Sequence, residues 1–135
     1  MSVLLAACNE SDSTQLFSYD PTSTYIHPQE STSFCLDFEF DQANFRPLTV
    51  FRCDKTFSKA AKPRHQEWTF ANGSNIVNTG TKKCVATGTG SERNGKIYDG
   101  KAVQQYACGE LREQWWNWVP RVWSKTVESG RAFVV

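Results

Sequence analysis

The chain has 135 residues, with 15 Lys plus Arg against 14 Asp plus Glu and a net charge of +1. That near-balance gives no electrostatic case for nucleic acid or for an acidic membrane face. At 39% hydrophobic and 13% aromatic residues it is not a wholly disordered chain, and its length fits one domain. The longest apolar stretch, Val3 to Cys8, is six residues long, against the roughly 20 that a membrane-spanning helix needs.

That stretch, Val3-Leu4-Leu5-Ala6-Ala7-Cys8, reads like the end of a bacterial lipoprotein signal. Only Met1 and Ser2 precede it, without a charged leader, so it is expected to be mature structure. Helix signals are poor along the whole chain. Phe34 to Asp41 alternates, with apolar residues at even positions and polar or sulfur residues at odd ones, which predicts a strand with one buried face. Short β-branched and aromatic runs predict further strands at Leu48 to Cys53, Glu67 to Phe70, Lys83 to Thr87, Val103 to Cys108 and Trp115 to Trp118. Turn pairs at Asn72-Gly73, Thr79-Gly80, Asn94-Gly95, Asp99-Gly100 and Ser129-Gly130 separate them. Many short strands so punctuated predict an all-β sandwich or barrel.

The five cysteines, at 8, 35, 53, 84 and 108, form no CxxC pair. Zinc sites draw on close-set pairs, and His27 and His65 lie too far apart in sequence to repair that pattern, so no metal is expected. Disulfides are the better reading, with one thiol left over. The sequons Asn9-Glu10-Ser11 and Asn72-Gly73-Ser74 agree with a secreted or cell-surface glycoprotein.

A repeat decides among the β architectures. Gln15-Leu16-Phe17, Gln66-Glu67-Trp68 and Gln114-Trp115-Trp116 recur at spacings of 51 and 48 residues, and each follows a cysteine, Cys8, Cys53 or Cys108. Cys35 and Cys84 lie 18 and 16 residues beyond the final aromatic of the first two motifs. The same step from Trp116 falls on Ala132, so the repeat is expected to continue to the C-terminus. Three units of nearly fifty residues cannot bury their aromatics singly and must pack about a common axis.

These residues carry a resemblance. Cys-Leu/Val-Asp, an aromatic-x-Cys strand and Gln-x-Trp in register resemble the ricin B-type β-trefoil lectin domain over almost the whole chain. The chain is also similar to the cysteine-rich β-trefoil domain of mannose receptors. The resemblance implies an all-β trefoil with whole repeats at 20–70 and 71–119 and a split repeat of 1–19 plus 120–135. It is either circularly permuted, with its ends meeting, or a segment of a longer surface protein. It implies disulfides Cys35 to Cys53 and Cys84 to Cys108 with Cys8 free, and it implies buried Phe17, Trp68 and Trp116.

The resemblance further implies a galactose- or N-acetylgalactosamine-type glycan held in the middle repeat by Asp37, Phe51, His65 and Gln66, with Thr49 standing where the family often has Gln. A carboxylate accepts from vicinal hydroxyls, an aromatic face covers the apolar side of a pyranose, and an amide or imidazole fixes orientation. Asp37→Ala is expected to abolish binding and to leave stability nearly unchanged. In the third stretch Ala86 replaces the Asp, and in the split repeat Ala6 replaces the aromatic while Val134 falls where Asp belongs, so neither is expected to bind. The long segment between Cys53 and Gln66 carries Lys55, Lys59, Lys62 and Arg64, which would contact an anionic glycan.

Alternatives for the same residues are a solvated edge or a weak calcium cluster at Asp37, Glu39 and Asp41. The competing function is a trefoil with vestigial sugar sites that binds or inhibits another protein. No enzyme is expected. Asp37 and Glu39 approach each other only by the trivial i, i+2 spacing, and Gly88-Thr89-Gly90 lacks the lysine and helix of a phosphate loop. No cofactor, nucleic acid or membrane insertion is expected; the partners are glycans or glycoproteins.

Overall fold

A computed structural model describes residues 1–9, 11–38, 43–53, 64–71, 75–87, 100–109, 114–120 and 131–134, the segments 117–120 and 131–134 by backbone alone. The described residues form strands β1 (Leu16–Tyr19), β2 (Ile26–Pro28), β3 (Phe34–Asp37), β4 (Thr49–Arg52), β5 (Trp68–Ala71), β6 (Asn75–Asn78), β7 (Lys83–Ala86), β8 (Gln104–Ala107), β9 (Asn117–Pro120) and β10 (Arg131–Val134). One 3-10 turn, Ser13–Gln15, precedes β1. All pairings are antiparallel, in sheets ordered β2-β1-β10-β9, β3-β4 and β5-β6-β7-β8. Among the described residues no helix is long and apolar enough to cross a membrane.

The six predicted strands are present, four of them shortened, while those expected at Glu67 to Phe70 and Trp115 to Trp118 keep their length but lie one and two residues further along the chain. β1, β2, β6 and β10 were not foreseen, because runs such as Ile26-His27-Pro28 and Asn75-Ile76-Val77-Asn78 are short and interrupted by polar residues or proline. β3 departs from simple alternation: Phe34 is 41% exposed, while Cys35, Leu36 and Asp37 are all buried. Both of its faces are covered, one by the core and the other by a disulfide and a loop. Residues 39–42, including Glu39 and Asp41, lie outside the described residues, as do the turns at 72–73, 94–95 and 129–130.

Three chain segments close a ring of backbone hydrogen bonds. Val3 N–H donates to Leu48 O at 2.7 Å, Leu48 N–H to Val103 O at 2.8 Å, and Val103 N–H to Val3 O at 3.1 Å. A second ring repeats the pattern two residues away: Leu5 N–H to Lys101 O, Val50 N–H to Met1 O and Gln105 N–H to Arg46 O, each 2.8 Å. Val3, Leu48 and Val103 each stand five residues before a cysteine, Cys8, Cys53 or Cys108. The rings are therefore the pseudo-threefold axis of a β-trefoil, and they fix which residues of the three units correspond.

The core gathers at that axis. Leu48 and Val103 pack with Leu36, Val85 and the motif aromatics Phe17, Trp68 and Trp116. Trp68 Nε1–H donates to Leu36 O (3.2 Å) and Trp116 Nε1–H to Val85 O (3.0 Å), the same bond in two units. The motif glutamines are clamps. Gln15, Gln66 and Gln114 donate from Nε2 to the carbonyls of Ala7, Arg52 and Ala107, each one residue before a cysteine. In two units the Oε1 also accepts from the residue after that cysteine, Asn9 or Gly109. A Gln is needed because one amide supplies both donor and acceptor.

The disulfides are those implied, Cys35–Cys53 and Cys84–Cys108, with Cys8 free and exposed. The register at the C-terminus is corrected. Val134 pairs with Asn117, the residue after Trp116, as Val77 pairs with Thr69, the residue after Trp68, and His27 with Ser18. β10 is thus the counterpart of β2 and β6, and Ala132 and Val134 do not take the places of Cys35 and Asp37. Counting from the aromatic misplaced them because the β9–β10 connection is longer than the other two hairpin loops.

Candidate functional site

The middle unit brings four of its five sequence-derived residues into one hydrogen-bonded group. Asp37 ends β3 directly opposite Thr49, which begins β4, and Thr49 Oγ1 donates to Asp37 O (3.1 Å). His65 Nδ1–H donates to Asp37 Oδ1 at 2.7 Å, and Gln66 Nε2–H to Asp37 Oδ2 at 2.8 Å. All four are buried, Asp37 to 2% exposure. A carboxylate at that depth needs such charge-assisted bonds to offset its lost hydration.

The fifth residue, Phe51, lies opposite Cys35, two positions along β4 from Thr49 and on the same face of the hairpin. Its ring is 61% exposed. Disulfide Cys35–Cys53 staples this end of the hairpin. The surface so formed has an acidic floor and an open aromatic wall.

The loop that carries His65 is held by the β6–β7 turn. Asn78 Nδ2–H donates to His65 O (2.6 Å), Gly80 N–H to Arg64 O (3.0 Å), and Asn78 Oδ1 accepts from the Gly80 and Thr81 N–H groups. At Gly80 an added Cβ would stand 2.7 to 2.9 Å from backbone atoms of Arg64 and His65. Glycine is required there by close approach. This support was not foreseen from sequence, where Thr79-Gly80 reads only as a turn.

Arg64 does not stand free as a cation: its Nε lies 2.6 Å from Glu67 Oε2. Lys55, Lys59 and Lys62 lie outside the described residues. Elsewhere the counterparts are poorer. Ala86 faces Gln104 as Asp37 faces Thr49, and the Tyr106 ring, the counterpart of Phe51, lies 5.5 Å from that of Phe45. Ala6 holds the aromatic's place in the split unit.

His27, which the sequence sets aside as too far from His65 to complete a metal site, is buried. Its Nδ1–H donates to Phe34 O (2.8 Å) and lies 3.5 and 3.7 Å from the sulfurs of Cys53 and Cys35. The three donor atoms fall within 4.8 Å of one another, but the sulfurs are joined to each other and so are not thiolate ligands. No sequence spacing signals this cluster, since His27 comes from a different hairpin.

Among known families, the model of the ricin-type beta-trefoil lectin domain matches residues 1–98. That span contains the whole Asp37, Thr49, Phe51, His65 and Gln66 group. No curated protein and no solved structure gives a match.

Proposed function

The chain belongs to the ricin-type β-trefoil lectin family, a family of carbohydrate-binding domains, and from that membership we propose that it binds galactose- or N-acetylgalactosamine-type glycans through one site in the middle unit. The observation that carries the reading is Asp37 fixed by His65 and Gln66 below an open Phe51 ring. A carboxylate offers about four acceptor positions, and one pinned in place can receive sugar hydroxyls with little further ordering. Phe51 supplies an apolar face for the C–H side of a pyranose. His65 and Gln66 orient the acid, and Thr49 braces its backbone carbonyl. The role is that of a binding module, not an enzyme. With two disulfides it suits an oxidising compartment, as a secreted or cell-surface domain or part of a larger surface protein.

The test is titration of galactose, N-acetylgalactosamine and glucose against the chain and its Phe51→Ala variant. Losing roughly 50 Å² of ring contact costs about 1 kcal/mol, roughly fivefold in affinity, and at so exposed a position stability should stay unchanged. Binding indifferent to Phe51→Ala would remove the site. An anionic glycan would engage Lys55, Lys59, Lys62 and the outer face of Arg64; its mark is tighter binding of a sulfated form that weakens as salt rises.

A second reading, a protein-binding trefoil with vestigial sugar sites, is favoured by the burial of Asp37. It predicts no response to any of the sugars. The division into 20–70, 71–119 and a split unit of 1–19 with 120–135 is also part of this proposal, and the pairing of Leu16 with Ala132 across β1 and β10 supports it.

A further inference from the structure

His27 stands where the fold does not ask for a histidine. It lies opposite Ser18, the residue after Phe17, as Val77 lies opposite Thr69, the residue after Trp68. The two are counterparts, each on the strand before the first cysteine of a disulfide. His27 lies against Cys35–Cys53, and Val77 pairs with Cys84 of Cys84–Cys108. One disulfide thus has an imidazole beside it and the other a hydrocarbon.

The imidazole is at ligand spacing from both sulfurs. His27 Nδ1 lies 3.5 Å from Cys53 Sγ and 3.7 Å from Cys35 Sγ. Zinc bonds of about 2.3 Å to sulfur and about 2.0 Å to nitrogen, at a tetrahedral angle, put a nitrogen and a sulfur ligand about 3.5 Å apart. Both observed spacings lie close to that value. The sulfurs, once unbonded, need to part to about 3.8 Å, which side-chain rotation supplies with their Cα atoms 5.1 Å apart. All three side chains are buried. Two thiolates, a neutral imidazole and a divalent cation sum to zero charge, as a buried site requires.

We propose that reduction of Cys35–Cys53 converts this disulfide into a zinc site, with His27 Nδ1 and the two sulfurs as ligands and water in the fourth position. Thiolates with an imidazole select zinc over calcium and magnesium. A dithiol reductant opens the bond: its own two thiols become a disulfide, and Cys35 and Cys53 become thiols. Zinc then displaces both thiol protons to solvent. The imidazole proton moves to Nε2, and the Nδ1–H bond to Phe34 O (2.8 Å) is given up. The ion replaces the covalent staple at this end of the β3–β4 hairpin, which carries Asp37 and Phe51. Cys84–Cys108 has no such reserve, because Val77 supplies no ligand atom.

For the test, the full chain is reduced with a dithiol, the dithiol is removed without oxygen, and zinc sulfate is added before timed alkylation read by peptide mass spectrometry. Equimolar zinc should slow alkylation of Cys35 and Cys53 roughly tenfold or more. Cys84 and Cys108, the matched pair without a histidine, should be unaffected. Cobalt in place of zinc should give a thiolate-to-metal charge-transfer band. His27→Val, which copies Val77, should lose both the protection and the band, while its oxidised form still carries both disulfides. If the reduced chain unfolds without metal, zinc should restore its circular dichroism and should not restore that of His27→Val. These readouts involve no glycan and are independent of the proposed sugar site. Absence of protection, equal protection of both cysteine pairs, or protection that survives His27→Val would overturn the proposal.

Discussion

Asp37 is where the residue-scale expectation changes most. Its carboxylate receives His65 and Gln66 inside the protein, so Asp37→Ala should lower stability as well as glycan binding. Leaving two buried donors without their acceptor costs about 1–3 kcal/mol, readable as a lower urea midpoint at unchanged m-value. The sequence-based expectation of unchanged stability treated Asp37 as an exposed ligand. Trp68 offers a second residue-scale test. Trp68→Phe keeps an aromatic in the core but removes the indole donor to Leu36 O. It should destabilise by about 1–2 kcal/mol, and Trp116→Phe by a similar amount through Val85 O. Phe17 in the split unit already lacks that donor.

At the scale of elements, the β6–β7 turn and the 3-10 turn hold the motif loops in place. Gly80→Ala drives a Cβ into the backbone of Arg64 and His65. It should shift the His65 and Gln66 amide resonances and weaken glycan binding several-fold, even where the variant still folds. Asp12 caps Ser13–Gln15 by accepting from Thr14 Oγ1 (2.6 Å) and Thr14 N–H (3.0 Å), bonds that hold its carboxyl below the ordinary value of 3.8. A lowered folded value means the cap is fully present above that ordinary value and is lost as pH falls below it. The protection of the Gln15 amide relative to its intrinsic exchange rate should therefore fall below about pH 4, and Asp12→Asn should show no such acid step. Six strands were legible because β-branched and aromatic runs marked them. β2 and β6 were not, because their burial comes from neighbouring hairpins and not from their own composition.

For the whole molecule, the two disulfides close loops of 18 and 24 residues. Each should contribute about 3 kcal/mol in the chain-entropy model. Adding a dithiol reductant should lower the melting temperature markedly, whereas Cys8→Ser should leave it unchanged. The three Gln clamps and the two backbone rings make the units interdependent, so unfolding should be a single transition by both fluorescence and circular dichroism.

The sequence by itself determined the threefold repeat, the aromatic core positions and, through its family likeness, the disulfide pairing. These depend on residue identity at fixed spacing, since a glutamine that clamps a cysteine strand and a tryptophan that fills the core are needed once in every unit. Tertiary structure alone decided that Asp37 is buried under His65 and Gln66, that Gly80 props their loop, that Arg64 is matched by Glu67, and that β10 stands with β2 and β6. Hydrogen bonds join residues 28 and 29 positions apart at Asp37, and such pairing is set by how hairpins pack around an axis, which local sequence pattern does not encode.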